Sequence, residues 1–441
     1  MINTIKYVLL LLAITSMRTV NAQEVEHVIL ISIDGFRPDF YTDAKWPTPN
    51  IKMLAKEGVF ADEVRTIFPS VTYPSHTTLV TGVFPEKHGI YYNTTIGDDG
   101  QPSGWVYDYN QITSKTIWEV AKSKNLSTAS ISWPITMNNP YIDYNIPEIW
   151  SFEDASDRRG ATSKAANPKG LFEEITSQIT GTLEKEEYNL SSLRMDQNLG
   201  RMATYLIEKY QPNLLTIHLP NTDGAQHSVG REGVEVERAI AGADQVVGQI
   251  YDAVLRAGIA EKTAILVTGD HGFVTTHTSI SANLWLKEHG LSDKAFFFST
   301  GGSAFLHLKN GNSPKILEKI HSVLDSLPLA QRNMFRIIEE SQLREMQSDP
   351  RVKLAISANE GFSFDNDTDG ELLKSKVGGK HGYFPDFYNI YTGFVGYGAG
   401  FKSGIEIKHM QLEDIAPLVA KLLNLELKDS SGTVYPGLLK H

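Results

Sequence analysis

Seven residues of this chain have side chains that together could hold metal ions and supply an attacking hydroxyl. They are Asp34, Thr72, Asp223, His227, Asp270, His271 and His381. Carboxylate oxygens and imidazole nitrogens are ligands that zinc and related divalent ions accept. A metal ion also lowers the pKa of a hydroxyl that it binds, so a threonine beside such ions could act as a nucleophile. The set therefore indicates a metal pair with an attacking alcohol.

Most of these residues follow apolar runs that are typical of buried strands. The runs are His27–Ile33, Leu214–Leu219 and Ala264–Thr268. Continuous apolar runs of this length, separated by helical patterns, are typical of a parallel sheet. Ligands of such sheets bind outside the carboxyl ends of the strands. We therefore expect residues that are far apart in the chain to converge on one edge of an α/β sheet.

Local spacing predicts how two pairs of ligands are presented. Asp223 and His227 are four residues apart, so on a helical turn both side chains would lie on one face and reach one ion. Asp270 and His271 directly follow a strand, and Gly272 would let the backbone pass close to a metal. Each pattern alone also has an ordinary structural explanation, so the prediction depends on their joint occurrence.

Thr72 and His381 are predicted to lie in segments that connect elements. Thr72 would lie just ahead of a helix in which Pro74 occupies the first turn and Ser75 caps the end. The free N–H groups of such a helix end favour an anion. His381 stands between glycines and is predicted to lie in a flexible loop.

Composition restricts the class of protein. The chain has 441 residues, 41% hydrophobic and 21% charged, which are ordinary values for one large globular domain or two. A net charge of −11 argues against a nucleic-acid polymer as partner, because such grooves need clustered Lys and Arg. The chain has no cysteine, which excludes disulfides, thiolate metal sites and a cysteine nucleophile.

The first 22 residues are typical of a secretory signal peptide. The apolar stretch Tyr7–Ile14 is too short to span a bilayer, and Val20-Asn21-Ala22 offers small residues for cleavage before Gln23. An N-terminal membrane anchor is the alternative interpretation. We expect a secreted or periplasmic protein without a stable membrane span.

The rest of the chain, residues 23–441, is interpreted as one domain with insertions near 135–190 and 282–363. In the first of these stretches the helical and strand patterns weaken, and we expect it to pack over the site. Helices are predicted at Met195–Lys209, Val234–Ala257 and Ile415–Asn424, and a strand at Leu126–Trp133.

The sequence resembles the nucleotide pyrophosphatase/phosphodiesterase family of the alkaline phosphatase superfamily, over essentially the whole length after residue 22. The matching segments are Asp34-Gly35-Phe36-Arg37, Thr72-Tyr73-Pro74-Ser75-His76, Val80-Thr81-Gly82, Pro85-Glu86-Lys87-His88-Gly89-Ile90, Asn93, Trp133-Pro134, Asp223 with His227, Asp270-His271-Gly272 and His381-Gly382. The resemblance implies a three-layer α/β/α fold with a mostly parallel central sheet and inserted cap segments.

The resemblance also implies a role for each residue. One Zn²⁺ would be held by Asp223, His227 and His381, and a second by Asp34, Asp270, His271 and the oxygen of Thr72. Thr72 would attack the phosphorus atom, and Asn93 would donate a hydrogen bond to a phosphoryl oxygen. Tyr73 would stack on a nucleobase or else pack as a rim or core aromatic, and Trp133 would contact the substrate.

These roles imply a type I phosphodiesterase or nucleotide pyrophosphatase that acts through a phosphoryl-threonine intermediate. Two departures leave the substrate open: Ser75 replaces an Asn that several members have, and Ile135-Thr136 follows Trp133-Pro134 where animal enzymes have Gly-Ser. An alkaline phosphomonoesterase and a catalytically inactive metal-binding protein are the alternatives. The acidic stretch from Asp365 to Asp369 is interpreted as a turn, with a weak calcium site as the alternative.

Overall fold

The computed structural model describes residues 25–440 except 152, 155, 191 and 310–312, so the predicted signal peptide lies outside the described residues. The strands β1–β18 are His27–Ile33, Val59–Arg65, Thr94–Ile96, Pro102–Trp105, Thr128–Ile131, Tyr144–Ile146, Leu214–Leu219, Thr263–Thr268, Val274–Ile280, Ala295–Ser299, Ser303–Leu308, Phe335–Glu339, Leu354–Ala358, Gly361–Phe364, Leu373–Lys380, Thr392–Gly398, Ile405–Ile407 and Met410–Gln411. The helices α1–α15 are Asp39–Thr42, Pro49–Glu57, Thr72–Thr81, Pro85–His88, Ile117–Ser123, Arg159–Ala165, Leu171–Ile175, Arg194–Tyr210, Asn221–Val229, Val234–Arg256, Ala282–Glu288, Pro314–Ser326, Leu329–Arg332, Glu340–Glu345 and Ile415–Leu422. Single turns of 3₁₀-helix or π-helix occur at Tyr109–Gln111, Thr176–Thr180, Lys185–Glu187, Ala260–Lys262, Tyr388–Ile390 and Leu412–Asp414.

A nine-stranded sheet forms the centre of the fold, in the order β17-β2-β16-β8-β1-β7-β5-β6, with β18 also paired to β2. Strands β8, β1, β7, β5 and β6 are mutually parallel, whereas β16 runs antiparallel to β8 and β2. The three strands that precede predicted ligands, β1, β7 and β8, are adjacent. The prediction of a mostly parallel sheet is therefore confirmed.

Helices cover both faces of this sheet, because its central strands are apolar on both sides. In β1, Ile29, Ile31 and Ile33 pack on one face against helices α2, α8 and α10. Val28 and Leu30 pack on the other face against α3, α5 and α15. A strand that is buried on both faces needs no polar alternation, which explains its continuous apolar run. The three-layer α/β/α architecture predicted from the resemblance is confirmed.

Regular elements occur within and beside the two predicted insertions, near 135–190 and 282–363. Strands β10–β13 form a separate antiparallel sheet in the order β10-β11-β13-β12, within residues 295–358. Strands β14, β9 and β15 form a three-stranded sheet whose β15 ends immediately before His381. In the stretch 135–190, β6 pairs with β5 and extends the central sheet, so part of this stretch belongs to the main layer.

Helix predictions agree with the structure more closely than one strand prediction does. The helices predicted at Met195–Lys209 and Val234–Ala257 are α8 and α10, within one residue at each end. The strand predicted at Leu126–Trp133 is shorter, because the chain leaves the extended conformation at Ser132, which has φ +51°. Among the described residues, no helix combines the length and the apolar character needed to cross a bilayer.

Gly272 is required where two backbone segments cross. A Cβ at this position would lie 2.6 Å from the Tyr391 carbonyl oxygen and would also clash with that of Asn389. The Gly272 N–H donates to the Ile390 carbonyl at 2.8 Å, so this crossing segment cannot move away without losing a hydrogen bond. The glycine thus allows the Asp270-His271 segment to pack tightly against a neighbouring backbone.

We expect Gly272→Ala to destabilise the protein by about 1–3 kcal/mol, the usual cost of overpacking, and to weaken metal binding by displacing Asp270 and His271. The matched control is Gly242→Ala, in the interior of α10, where a new Cβ meets nothing within 4 Å. That replacement should be neutral or stabilise by about 0.5–1 kcal/mol. Urea denaturation and elemental analysis measure both effects, and equal behaviour of the two variants would contradict this explanation.

Candidate metal centre

The ends of three neighbouring strands bring most of the predicted ligands together. Asp34 follows β1, and its N–H donates to the Leu219 carbonyl at the end of β7 at 3.0 Å. Asp270 follows β8, and its Oδ1 accepts hydrogen bonds from the N–H groups of Gly35 and His271, both at 3.0 Å. These bonds tie the segments after β1 and β8 to each other. Helix α9 follows β7 and carries the remaining aspartate of the set.

One group of donor atoms is formed by Asp34, Asp270 and His271, all of which are buried. His271 Nε2 lies 3.1 Å from Asp270 Oδ2 and 3.5 Å from Asp34 Oδ1. Two carboxylate oxygens and one imidazole nitrogen at these separations suit a single divalent ion.

A second group is formed around Asp223. On α9, His227 Nε2 lies 3.4 Å from Asp223 Oδ1, so the predicted placement of this pair on one helical face is confirmed. His381 Nε2 lies 3.7 Å from the same oxygen. His381 was predicted to lie in a flexible loop, but it directly follows strand β15 and is buried. The sheet of β9, β14 and β15 therefore brings this histidine to the centre.

His271 lies between the two groups. Its ring stacks on that of His381 with centroids 3.8 Å apart, so Asp223, His271 and His381 also satisfy the distances of a metal site. His227 Nε2 lies closer to Asp223 Oδ1 than His381 Nε2 does, at 3.4 Å against 3.7 Å. The distances of His271 fit either group of donor atoms.

Backbone carbonyl groups orient all three histidines in the same way. Each Nδ1 lies within hydrogen-bonding distance of a carbonyl oxygen, and since a carbonyl only accepts, each Nδ1–H donates. The acceptors of His227, His271 and His381 are Gly379, Gly272 and Ser70, at 3.0, 3.1 and 3.1 Å. This leaves the three Nε2 atoms free to face the centre, as in metal sites whose histidines are held by outer hydrogen bonds.

Four buried atoms of the two groups make no hydrogen bond among the described residues. They are Asp34 Oδ1, Asp223 Oδ1, Asp270 Oδ2 and His271 Nε2. Buried polar atoms without partners are rare in folded proteins, and each one needs an explanation. All four are acceptors that point into one small volume, so the residues present fit a pair of divalent cations.

Crowding of the carboxylates favours a positive ion as well. Burial and the charge of Asp223 raise the pKa of Asp34 to about 7. Burial and the charge of Asp270 raise the pKa of Asp223 to about 8, and burial with the charge of Asp34 raises the pKa of Asp270. Burial lowers the pKa of His227 and His271 to about 3, so both rings are neutral and able to bind metal.

Thr72 is the first residue of helix α3, rather than lying ahead of it. The N-cap position is occupied by Val71 instead of Ser75, and no side chain caps this helix end. His76 of the same helix links Thr72 to the centre, since its Nδ1 lies 2.8 Å from the Thr72 carbonyl oxygen and 3.7 Å from Asp270 Oδ2. Among the described residues the Thr72 hydroxyl has no hydrogen-bond partner, so it is free to meet a metal or a substrate.

Asn93 is oriented by the residue next to Thr72. Its Oδ1 accepts a hydrogen bond from the Tyr73 N–H at 2.9 Å. The amide nitrogen must then point the other way, and among the described residues it has no acceptor. It can therefore donate to a phosphoryl oxygen, as the resemblance implies.

The structure does not support the predicted substrate contacts of Tyr73 and Trp133. Trp133 is completely buried and packs against His76 and Trp118 in the core. Tyr73 is 1% exposed, is covered by Trp105, and donates its hydroxyl to Glu148 at 2.7 Å. Neither ring has a free face on which a base could stack, so the alternative of a core aromatic describes Tyr73 correctly.

Three neighbours of the centre were not predicted. His218, the residue before the last one of β7, hydrogen-bonds Asp34 Oδ2 and also Glu148, which lies in the stretch 135–190. The ammonium of Lys380 lies 3.5 Å from His227 Nδ1. A polar residue inside the apolar run Leu214–Leu219 was the available signal for His218, whereas Glu148 and Lys380 stand in no comparable pattern.

The carboxylates of the acidic turn are paired with lysines. Lys374 pairs with Asp365 and Asp367, and Lys287 pairs with Asp369.

Comparison with known proteins gives matches along most of the chain. The sequence profile of the family described as "Type I phosphodiesterase / nucleotide pyrophosphatase" matches residues 28–384. Human ectonucleotide pyrophosphatase/phosphodiesterase family member 5 is 24% identical, with 93% of this chain and 77% of that protein covered. Human family member 1 is also 24% identical over 95% of this chain, but the match spans only 42% of that longer protein. Venom phosphodiesterase of Naja atra is 22% identical, and its match covers 94% of this chain and 46% of the venom protein.

Solved structures show the same fold. Murine family member 5 superposes with a TM-score of 0.69 at 22% identity, with 94% of this chain and 100% of that chain covered. The same murine protein has been solved as an inactive threonine-to-alanine variant in complex with AMP.

We expect the stabilisation by bound Zn²⁺ to grow as pH rises from 6.5 to 8.5. The raised pKa values of Asp34 and Asp223 mean that the folded metal-free protein binds more protons than the unfolded chain, so its stability falls as pH rises through about 7 and 8. The lowered histidine pKa values act only below the ordinary histidine pKa and do not contribute in this window. Metal binding removes the carboxylate repulsion, so the gain in Tm should be larger at pH 8.5.

Thermal unfolding of chelator-treated and zinc-loaded protein at both pH values measures this gain. Asp196→Asn is the control, because Asp196 is also buried with its pKa raised to about 7 but is not a predicted ligand. It should shift Tm in both forms without changing the pH dependence of the zinc-induced gain. A gain that is equal or smaller at pH 8.5 would show that these carboxylates do not face the ion.

Proposed function

Because the chain belongs to the type I phosphodiesterase/nucleotide pyrophosphatase family, we propose that it is a two-zinc hydrolase that cleaves phosphodiester or pyrophosphate bonds of nucleotide-like substrates. Thr72 is the proposed nucleophile, with a phosphoryl-threonine intermediate. We further propose that residues 1–22 are removed as a signal peptide and that residues 23–441 form one secreted or periplasmic domain with insertions near 135–190 and 282–363.

The observation that carries this proposal is the set of inward-facing atoms without partners. Asp34, Asp223 and Asp270 each present one buried oxygen that no described donor satisfies. In the proposed enzyme Asp223, His227 and His381 hold one Zn²⁺, and Asp34, Asp270, His271 and Thr72 hold the other. When bound, the ions supply positive charge that activates a hydroxyl and neutralises phosphate oxygens.

The protein's own groups position the reaction. The Thr72 hydroxyl gives its proton to solvent and its oxygen attacks phosphorus, while the bond to the leaving oxygen breaks and that oxygen takes up a proton. A water molecule then attacks the same phosphorus, which breaks the phosphoryl-threonine bond and returns a proton to the Thr72 oxygen. The free amide nitrogen of Asn93 donates to a phosphoryl oxygen whose negative charge increases during attack. The Thr72 N–H is one of the first N–H groups of helix α3, which have no partner within the helix, so it could also donate to a phosphoryl oxygen.

One observation favours the alternative of a phosphomonoesterase. A monoester dianion needs additional positive charge, and Lys380 lies beside a predicted ligand. Its ammonium approaches His227 from the Nδ1 side, whereas the metal would bind at Nε2. The lysine therefore contacts the side of the histidine that the metal would not occupy, and we retain the preference for diesters.

Thr72→Ala should reduce kcat by more than 1000-fold while Zn²⁺ content stays near that of the wild type, because six other ligands remain. The murine family member 5 that was solved with AMP carries a threonine-to-alanine replacement and is described as inactive. With a chiral phosphorothioate diester, the wild type should give net retention, since two in-line displacements each invert phosphorus. Net inversion would show that water attacks directly and that Thr72 is not the nucleophile.

Diesters should be hydrolysed with a higher kcat/KM than monoesters. The p-nitrophenyl ester of thymidine monophosphate and p-nitrophenyl phosphate release the same leaving group, so their comparison isolates the extra negative charge. Lys380→Gln should leave the ratio nearly unchanged if this lysine only supports His227. A higher kcat/KM on the monoester, lost in Lys380→Gln, would move the assignment to the phosphomonoesterase.

A further inference from the structure

A buried histidine links a predicted metal ligand to a second carboxylate. His218 Nε2 lies 3.0 Å from Asp34 Oδ2. His218 Nδ1 lies 3.0 Å from Glu148 Oε2 and 3.1 Å from the Ser132 carbonyl oxygen, so its proton is shared between these two acceptors. Carboxylate oxygens only accept, so an imidazole with one at each nitrogen donates in both directions. Because Asp34 Oδ2 is taken in this way, Oδ1 is the oxygen left to face the metal centre.

Glu148 has a second contact that leads to the nucleophile. Its other oxygen, Oε1, accepts a hydrogen bond from the Tyr73 hydroxyl at 2.7 Å. Tyr73 directly follows Thr72, and its N–H holds the amide of Asn93 at 2.9 Å. One carboxylate thus connects the side of the centre that holds Asp34 with the side that holds the attacking hydroxyl.

The arrangement is buried and therefore costly unless it is well paired. Glu148 and His218 are 4% and 1% exposed, and Arg158, at 2% exposed, places its guanidinium 3.8 Å from Glu148. Buried charged groups of this kind seldom add net stability compared with apolar residues of the same size. Their geometric effect is stronger, because loss of one partner leaves the others free to rotate or unpaired.

We propose that Glu148 and His218 form a positioning pair that fixes Asp34 relative to Thr72 and Asn93. His218 determines which oxygen of Asp34 faces the metal. Glu148 holds His218 through one oxygen and the Tyr73 hydroxyl through the other, and the Tyr73 N–H in turn orients Asn93. The inference rests on the two-metal function proposed above. Outer hydrogen bonds of this kind typically change metal affinity by about 10–100-fold when removed.

Three variants separate the effect of the contact between His218 and Asp34 from that of the contact between Glu148 and Tyr73. His218→Asn should weaken Zn²⁺ at one of the two sites by about 10–100-fold, the usual effect of losing an outer hydrogen bond to a ligand. Tyr73→Phe should lower kcat with little change in KM and leave both zinc affinities unchanged. Glu148→Gln, which has nearly the same shape, should show both effects. Zinc titration against a chromophoric chelator, the visible spectrum of the Co²⁺-loaded protein and steady-state kinetics measure these changes.

The matched control for loss of a buried histidine is His307→Asn. His307 is buried and pairs with the Tyr92 hydroxyl at 3.0 Å, away from the predicted ligands. It should lower Tm while the zinc titration and the Co²⁺ spectrum remain those of the wild type.

The outcomes distinguish this inference from the proposed function. If the wild type binds no pair of zinc ions, the proposed function itself fails. If the wild type binds two but His218→Asn and Glu148→Gln titrate like it, or like His307→Asn, the positioning pair is refuted. If His218→Asn does not fold, Glu148→Gln and Tyr73→Phe still test the proposal, because Glu148→Gln should weaken Zn²⁺ binding and Tyr73→Phe should not.

Discussion

The structure depends on the cost of placing three carboxylates within a few ångströms of one another in a buried volume. Asp34, Asp223 and Asp270 repel each other there, as their raised pKa values show. Such a cluster is tolerable only when positive charge compensates it. The imidazoles of His227, His271 and His381 are neutral, and His218 supplies positive charge only beside Asp34 and Glu148. The fold therefore holds a site whose full stability requires cations, and the same repulsion that opposes folding without them favours their binding.

Hydrogen bonds outside the cluster decide which atoms face inward. Asp270 Oδ1 is held by two backbone N–H groups and Asp34 Oδ2 by His218, so the remaining oxygen of each carboxylate points to the centre. Ser70 links the two sides of the site, since its carbonyl group orients His381 and its segment leads into Thr72. Rigid orientation of this kind lowers the reorganisation needed during a reaction.

Residues around the centre restrict the positions of the predicted ligands and the contacts that neighbouring side chains can make. Gly272 allows a neighbouring backbone to hold Asp270 and His271 at close range. The burial of Tyr73 under Trp105 makes the residue next to Thr72 a structural support, so its hydroxyl reaches Glu148 instead of a ligand. Any aromatic ring that stacks on a ligand would then have to be one other than Tyr73 or Trp133, both of which are buried.

The sequence alone determined the strands β1 and β7 to the residue and β8 to within one, because continuous apolar runs report burial on both faces of a sheet. It also determined the helical pairing of Asp223 with His227, which is a matter of local periodicity. Only the tertiary structure decided the setting of His381 at a strand end, the burial of Tyr73 and Trp133, and the contacts of Lys380 and Glu148. These depend on side-chain partners far away in the chain, and neither spacing nor composition records which of two oxygens or ring faces such a partner occupies.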